Sequence, residues 1–171
     1  MKNNDKKVYY GRQKISINEK RKNIENIFSE VSTNYDKMND IMSLGTHRIW
    51  KKDLVSRVSY NFSRSKTYKV LDIAGGTGDI ALSILKKYPN NEITILDLTP
   101  CMIQMGKNKA LKDGVNNIIW VAGDSANLPF KKSYYDIITC AFGIRNVAEI
   151  EKSLGNALYT LKPGGKIYIL E

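Results

Sequence analysis

Between residues 69 and 170, short and almost wholly apolar runs alternate with stretches of helical periodicity. No other feature restricts the fold of this chain as much. The runs cover residues 69–73, 93–96, 118–121, 136–141 and 166–170. Continuous apolar runs of this length fit strands covered on both faces, not one-sided strands with polar alternation. Between them, Ile80, Ile84 and Leu85 share one helical face, residues 102–111 and 150–161 read as helices, and Pro89-Asn90-Asn91 and Lys162-Pro163-Gly164-Gly165 punctuate. Strands separated by helices at this spacing predict a doubly wound α/β fold around a parallel sheet. A chain stopping at Glu171 would leave its fifth strand as a long bare edge, which proteins avoid, so the sequence is expected to be a fragment.

The periodicity differs before the polar stretch Ser63-Arg64-Ser65-Lys66. Ile24, Ile27, Phe28 and Val31 recur at i, i+3, i+4, i+7, one face of an amphipathic helix. Met38, Ile41 and Met42 predict a second short helix, and Thr46 is the expected N-cap of a third carrying Ile49, Trp50, Leu54 and Val58. The chain therefore divides into a helical N-terminal extension, residues 1–66, and an α/β domain, residues 67–171. The formal charge of +10 divides with it: residues 1–67 hold 15 Lys and Arg against 7 Asp and Glu.

Composition removes several classes. No apolar run approaches the ~20 residues of a membrane span. The polar start, Met1-Lys2-Asn3-Asn4, has no signal-peptide core behind it. Two distant cysteines, Cys101 and Cys140, and one histidine, His47, argue against a disulfide scaffold or a metal site.

The strongest local signal is Gly76-x-Gly78-x-x-Ala81, which follows a strand and opens a helix. Asp97 lies 21 residues after Gly76 at the end of the next strand, where a carboxylate can accept both hydroxyls of a ribose. Asp72 and Asp79 flank the loop. Two carboxylates there suit a cationic, phosphate-free ligand better than a pyrophosphate, which disfavours a nicotinamide-dependent oxidoreductase. S-adenosylmethionine has the right groups: a ribose, an ammonium and a sulfonium.

This stretch resembles the first motif of class I S-adenosylmethionine-dependent methyltransferases, whose fold is a Rossmann-like doubly wound sheet. Leu161-Lys162-Pro163-Gly164-Gly165 resembles their turn before strand five, and Gly123-Asp124-Ser125-Ala126 sits where they contact adenine. Two further segments are narrower. The run Tyr35-Asp36-Lys37-Met38-Asn39, continuing through Ser43 and His47 to Trp50, resembles a signature of the ubiquinone/menaquinone biosynthesis C-methyltransferases. Phe142-Gly143-Ile144-Arg145-Asn146-Val147 resembles their element after strand four, and Leu128-Pro129-Phe130 also matches. The resemblance runs from about Tyr10 onward. Thr99, where members usually carry Asn or Ser, and Asp124, where the ubiquinone branch often carries Asn, depart from it. Members continue well past residue 171, which agrees with the fragment expectation.

The resemblance implies S-adenosylmethionine as cofactor and methylation of a ring carbon of a polyprenyl hydroquinone. It implies that Asp72, Gly75, Gly76, Thr77 and Gly78 hold one end of the cofactor, that Asp97 and Leu98 hold the ribose, and that Asp124, Ser125 and Ala141 complete the site. Arg145 is expected to meet developing phenolate charge, because a guanidinium is a poor base, and Asn146 to orient the same oxygen. Tyr35 or His47 would relay the proton, and with Asp36 and Asn39 they belong to an extension expected to close over the site as a lid. Packing and capping are the plainer readings of His47, and a salt bridge with a cap is the plainer reading of Arg145-Asn146. The methionines at 38, 42, 102 and 105 read as helix-face core or as the lining of an apolar channel.

The basic charge keeps a nucleic-acid methyltransferase in view. However, Phe142-Gly143-Ile144-Arg145 stands where the base-amino enzymes carry [DN]-P-P-[YFW], and the one Pro-Cys, Pro100-Cys101, follows strand two and not strand four. No nucleic-acid partner is therefore expected. A non-catalytic assembly role with other quinone-pathway enzymes is the other class of reading. The implied setting is a bacterial cytoplasm or a mitochondrial matrix, with peripheral contact to anionic lipid through the basic extension. Gly75-Gly76-Thr77-Gly78-Asp79 and Tyr10-Gly11-Arg12-Gln13 lean towards the ubiquinone branch.

Overall fold

A computed structural model describes residues 7–31, 43–60 and 62–171. Its centre is a five-stranded, wholly parallel sheet of β3 (Lys69–Ile73), β4 (Glu92–Asp97), β5 (Ile118–Ala122), β6 (Tyr135–Ala141) and β7 (Leu161–Leu170), in the order β5-β4-β3-β6-β7. The helices α3 (Asp79–Lys87), α4 (Pro100–Lys112) and α5 (Ile150–Thr160) make the crossovers.

Alternate residues of each strand enter different cores, because successive side chains of a strand point to opposite faces. Val70, Ile93, Ile95 and Ile137 pack against Ile80, Ile84 and Leu85 of α3 and Ile103 and Ala110 of α4. Leu71, Ile73, Leu96 and Ile138 face the other way, onto Ala157 of α5. With both faces covered, polar alternation disappears from the central strands. Each buried Val, Leu or Ile contributes about 1.5–3 kcal/mol by leaving water.

Leu54, Val55 and Val58 of α2 (Thr46–Ser59) join the first core. The N-terminal region thus packs on the sheet domain at this point. Ahead of it, α1 (Ile17–Val31) follows a hairpin of β1 (Lys7–Tyr10) and β2 (Gln13–Ser16). The sequence reading did not foresee the hairpin. Its signal is Gly11, whose φ of +58° favours glycine in the two-residue turn.

Three expectations need adjustment. Thr46 begins α2 and is not its cap: Gly45 caps the helix in the left-handed region, and the Thr46 hydroxyl donates to the Ser43 carbonyl at 2.6 Å. Ile27 and Ile49 belong to their helical stripes by spacing yet stand exposed, since only part of each helix meets the sheet domain. The turn at 162–165 lies inside β7, where pairing jumps from Leu161 opposite Tyr135 to Lys166 opposite Ile137. The expected short helix carrying Met38, Ile41 and Met42 lies outside the described residues.

Candidate functional site

Strand order reverses between β3 and β6, and open α/β sheets form their ligand crevice beyond the strand ends at that reversal. A cavity opens there. Ala74 and Gly76 line it after β3, Asp97, Leu98 and Thr99 after β4, and Gly123, Asp124 and Ser125 after β5. Ala141, Phe142, Gly143 and Asn146 line it after β6, and Arg21, Ile24 and Phe28 of α1 lie across it. Ala74 (φ +51°) and Phe142 (φ +55°) both adopt the left-handed region, and backbone strain of this kind gathers at functional sites.

The glycine loop is built to let backbone close on carboxylates. A Cβ on Gly75 would lie 2.8 Å from Ile95 Cγ2 and 2.9 Å from Asp72 Oδ2, so no larger residue fits. The Gly76 N–H donates to Asp97 Oδ2 at 2.8 Å and the Thr99 N–H to Oδ1 at 2.9 Å. These two bonds hold the Asp97 carboxylate in place and leave each oxygen acceptor capacity towards the cavity. Burial raises the Asp97 pKa, and the same hydrogen bonds oppose that rise.

Asp72 is 1% exposed. Its Oδ1 accepts from the Thr139 hydroxyl at 2.6 Å, while Oδ2 has no partner. Burial lifts its pKa to about 7. An orphaned buried carboxylate oxygen is costly and calls for a donor or cation from a ligand. Asp72 lines a smaller neighbouring cavity with Gly75, Gly76, Thr77, Asp79 and Lys51. Asp79 has the opposite balance: burial pushes its pKa up, but Lys51 (2.7 Å) and Lys109 (2.5 Å) outweigh that and hold it at about 2.

Asp124 caps a 3-10 turn, Ser125–Asn127, through Oδ1 to the Ala126 N–H at 2.8 Å. Arg21 Nη2 stands 2.6 Å from its Oδ2 and 2.7 Å from Glu149 Oε2, and Lys20 Nζ donates to the Val147 carbonyl at 3.1 Å. These contacts pin α1 over the cavity.

The structure brings together Gly76, Asp97, Leu98, Asp124, Ser125, Ala141 and Asn146 in the main cavity, and Asp72, Gly75 and Thr77 in the adjoining one. Gly78 lines neither, but its φ of +82° starts α3. Arg145 lies outside the lining: Nη1 donates to Glu171 Oε2 at 2.8 Å, and its guanidinium sits over the Phe142 ring, which lines the cavity. The same Glu171 accepts the Ile144 N–H at 2.7 Å, so the salt bridge and turn cap are present. His47 is hydrogen-bonded through Nδ1 to Ser43 Oγ at 2.6 Å and faces a different cavity with Lys51, Asp79 and Lys109. Tyr35, Asp36, Asn39 and Met38 fall outside the described residues. Sequence reasoning missed Arg21, Ile24 and Lys51. Arg21 and Lys51 read as surface charge and Ile24 as core, because nothing local marks which helix face meets the cavity.

Against known proteins, the family model described as the ubiE/COQ5 methyltransferase family matches residues 14–171. The chain is 42% identical over 164 residues to the ubiquinone/menaquinone biosynthesis C-methyltransferase of Bartonella tribocorum, covering 95% of this chain and 62% of that protein. It is 39% identical to the mitochondrial 2-methoxy-6-polyprenyl-1,4-benzoquinol methylase of Caenorhabditis elegans, covering 97% of this chain and 58% of that one. The chain thus spans about three-fifths of the length of these two relatives. Among solved structures, a SAM-dependent methyltransferase from Aquifex aeolicus superposes with a TM-score of 0.60 at 22% identity, over 67% of this chain and 62% of that chain. At that identity the likeness shows the fold alone.

Proposed function

We propose, from the premise that this chain belongs to the ubiE/COQ5 methyltransferase family, that it takes part in S-adenosylmethionine-dependent C-methylation of a polyprenyl hydroquinone ring in ubiquinone biosynthesis. The observation that carries the reading is the pair of carboxylates at the glycine loop. Asp97 is fixed by two backbone N–H groups beside a cavity, and Asp72 is buried with one oxygen orphaned.

These residues fit the cofactor by charge. An ammonium suits the orphaned oxygen of Asp72 and a ribose suits Asp97, whereas Asp79, expected from the sequence to stand with Asp72 against a pyrophosphate, is neutralised by Lys51 and Lys109. Asp72 and the loop Gly75-Gly76-Thr77-Gly78 would hold its amino-acid end, Asp97 and Leu98 its ribose, and Asp124 and Ser125 its base, with Ala141 alongside. The bound cofactor supplies an electrophilic methyl on a positively charged sulfur.

The chain's own residues do the rest. Ile24 and Phe28 of α1, with Met102 and Phe142, surround the cavity with apolar surface and exclude water from it. Asn146 lines the cavity and orients the phenolic oxygen of the substrate. Arg145 stabilises the phenolate charge that develops as the ring carbon becomes nucleophilic. Its ion pair with Glu171 leaves the Arg145 side chain 60% exposed, so the pair is worth at most about 1 kcal/mol and does not tie the guanidinium down. The extension acts as the lid. Substrate comes from a membrane, so the protein works at a bilayer surface beside other quinone-pathway enzymes, on the cytoplasmic side in a bacterium or the matrix side in a eukaryote.

Methyl transfer from labelled S-adenosylmethionine to a demethylated polyprenyl-benzoquinol, with the naphthoquinol as a second arm, tests the reading. Arg145→Ala is expected to lower turnover more than about 100-fold, as for loss of one oxyanion donor, while leaving cofactor binding intact. Full turnover in that variant removes Arg145 from the chemistry. Transfer to the naphthoquinol alone moves the protein to the menaquinone branch.

A further inference from the structure

Lys51 has no part in the mechanism so far. It belongs to α2 in the N-terminal region, yet it lines the small cavity behind the glycine loop together with Asp72, Gly75, Gly76 and Thr77. Its Nζ donates to Asp79 Oδ2 at 2.7 Å while Lys109 Nζ donates to Oδ1 at 2.5 Å. Two ammonium groups share one carboxylate, so these three groups together carry positive charge. They meet at Asp79 on the first turn of α3, a nine-residue helix whose leading N–H groups add to that charge. This wall of the cavity favours an anionic group.

The opposite preference comes from Asp72. It is almost wholly buried, Thr139 satisfies Oδ1, and Oδ2 has no partner. That wall favours a cation. A cavity with one anion-seeking and one cation-seeking wall matches a zwitterion, and the compact zwitterion of biology is the head of an α-amino acid.

We propose that Lys51 is a cofactor-binding residue that holds the α-carboxylate of the cofactor's amino-acid end, with Asp72 taking the ammonium. The proposal rests on the reading of this cavity as a site for S-adenosylmethionine. It makes the N-terminal region part of the cofactor site and not only a cover over it. It also explains why two lysines converge on one aspartate: when Lys51 turns to the ligand, Lys109 still neutralises Asp79.

Calorimetric titration of the wild type, Lys51→Met and Lys51→Arg with two ligands tests it. S-adenosylhomocysteine carries the amino-acid end, and 5′-methylthioadenosine lacks it. Lys51→Met is expected to weaken S-adenosylhomocysteine by about 10- to 100-fold, the range for loss of one charge-assisted hydrogen bond. It should leave 5′-methylthioadenosine within about twofold, and Lys51→Arg should recover most of the loss. Equal losses for both ligands overturn the assignment and make Lys51 a support for the loop. Unchanged affinity for both overturns it as well. A wild type that binds neither ligand overturns the cofactor reading itself.

Discussion

The carboxylates of this site and most of the cations that meet them come from different regions of the chain. Asp72, Asp79, Asp97 and Asp124 stand at strand ends or first helical turns of the sheet domain, whereas Arg21, which meets Asp124, and Lys51, which meets Asp79, stand on α1 and α2, and Lys20 of α1 meets the Val147 carbonyl. Two of the acids are fixed largely by close neighbours: Thr99 holds Asp97 from two positions away, and Asp124 takes the Ala126 N–H. The cations reach across the fold, Lys20 to Val147 over 127 positions and Arg21 to Glu149 over 128. The acids therefore depend on turn geometry, and the cations depend on how the N-terminal helices dock. The difference also bears on the basic charge of the extension. Lys20 is 7% exposed, and burial lowers its pKa. Part of the charge is thus engaged inside the protein and does not require a polyanionic partner.

Substitutions on the two sides separate these dependences. The largest effect is expected from Asp97→Ala, which removes the acceptor of both the Gly76 and Thr99 N–H groups. Calorimetry should show S-adenosylhomocysteine affinity falling at least about 100-fold. A loss below fivefold would place the ribose contact elsewhere.

Asp72→Asn should raise stability while weakening the cofactor. In the folded protein Asp72 keeps its proton up to about pH 7, against 3.8 in the unfolded chain, so the wild type loses stability as pH rises between those values. The Asn variant loses none of it. Urea melts should show no gap near pH 4, a gap opening towards pH 7, and a plateau of roughly 2–4 kcal/mol above. A constant gap across that window would mean that Asp72 is not protonated in the folded state.

Arg21→Ala tests the docking side. Release of Asp124 and Glu149 should cost about 1–3 kcal/mol and speed hydrogen exchange in α1 while β3 and β4 stay protected. Equal acceleration in the strands would show that α1 and the sheet unfold as one unit. The smallest effect belongs to Arg57→Ala. Its i,i+4 pair with Asp53 is exposed, so the melting temperature should move by no more than about a degree.

Much of the fold was legible because its signals are local. The parallel sheet follows from apolar runs that only two covered faces explain, and Asp97 was found through its spacing from Gly76. The N-terminal hairpin was missed because four-residue strands around one glycine leave little pattern. His47, for which packing or capping is the plainer reading, and Asn146, expected at the substrate oxygen, are both catalytic candidates in the sequence, and they face different cavities. Arg145 has the salt bridge that its plainer reading implied, with Glu171 just after β7.

The sequence by itself determined the α/β class, the strand-loop-helix that carries the glycines, and the acids at the strand ends, because each depends on residues a few positions apart. Only the tertiary structure decided that Lys51 stands behind that loop and Arg21 over the cavity. A helix carries charge on several faces, and which face turns inward is set for α2 by the packing of Leu54, Val55 and Val58 in the first core and for α1 by the contacts of Lys20 and Arg21 with Val147, Asp124 and Glu149.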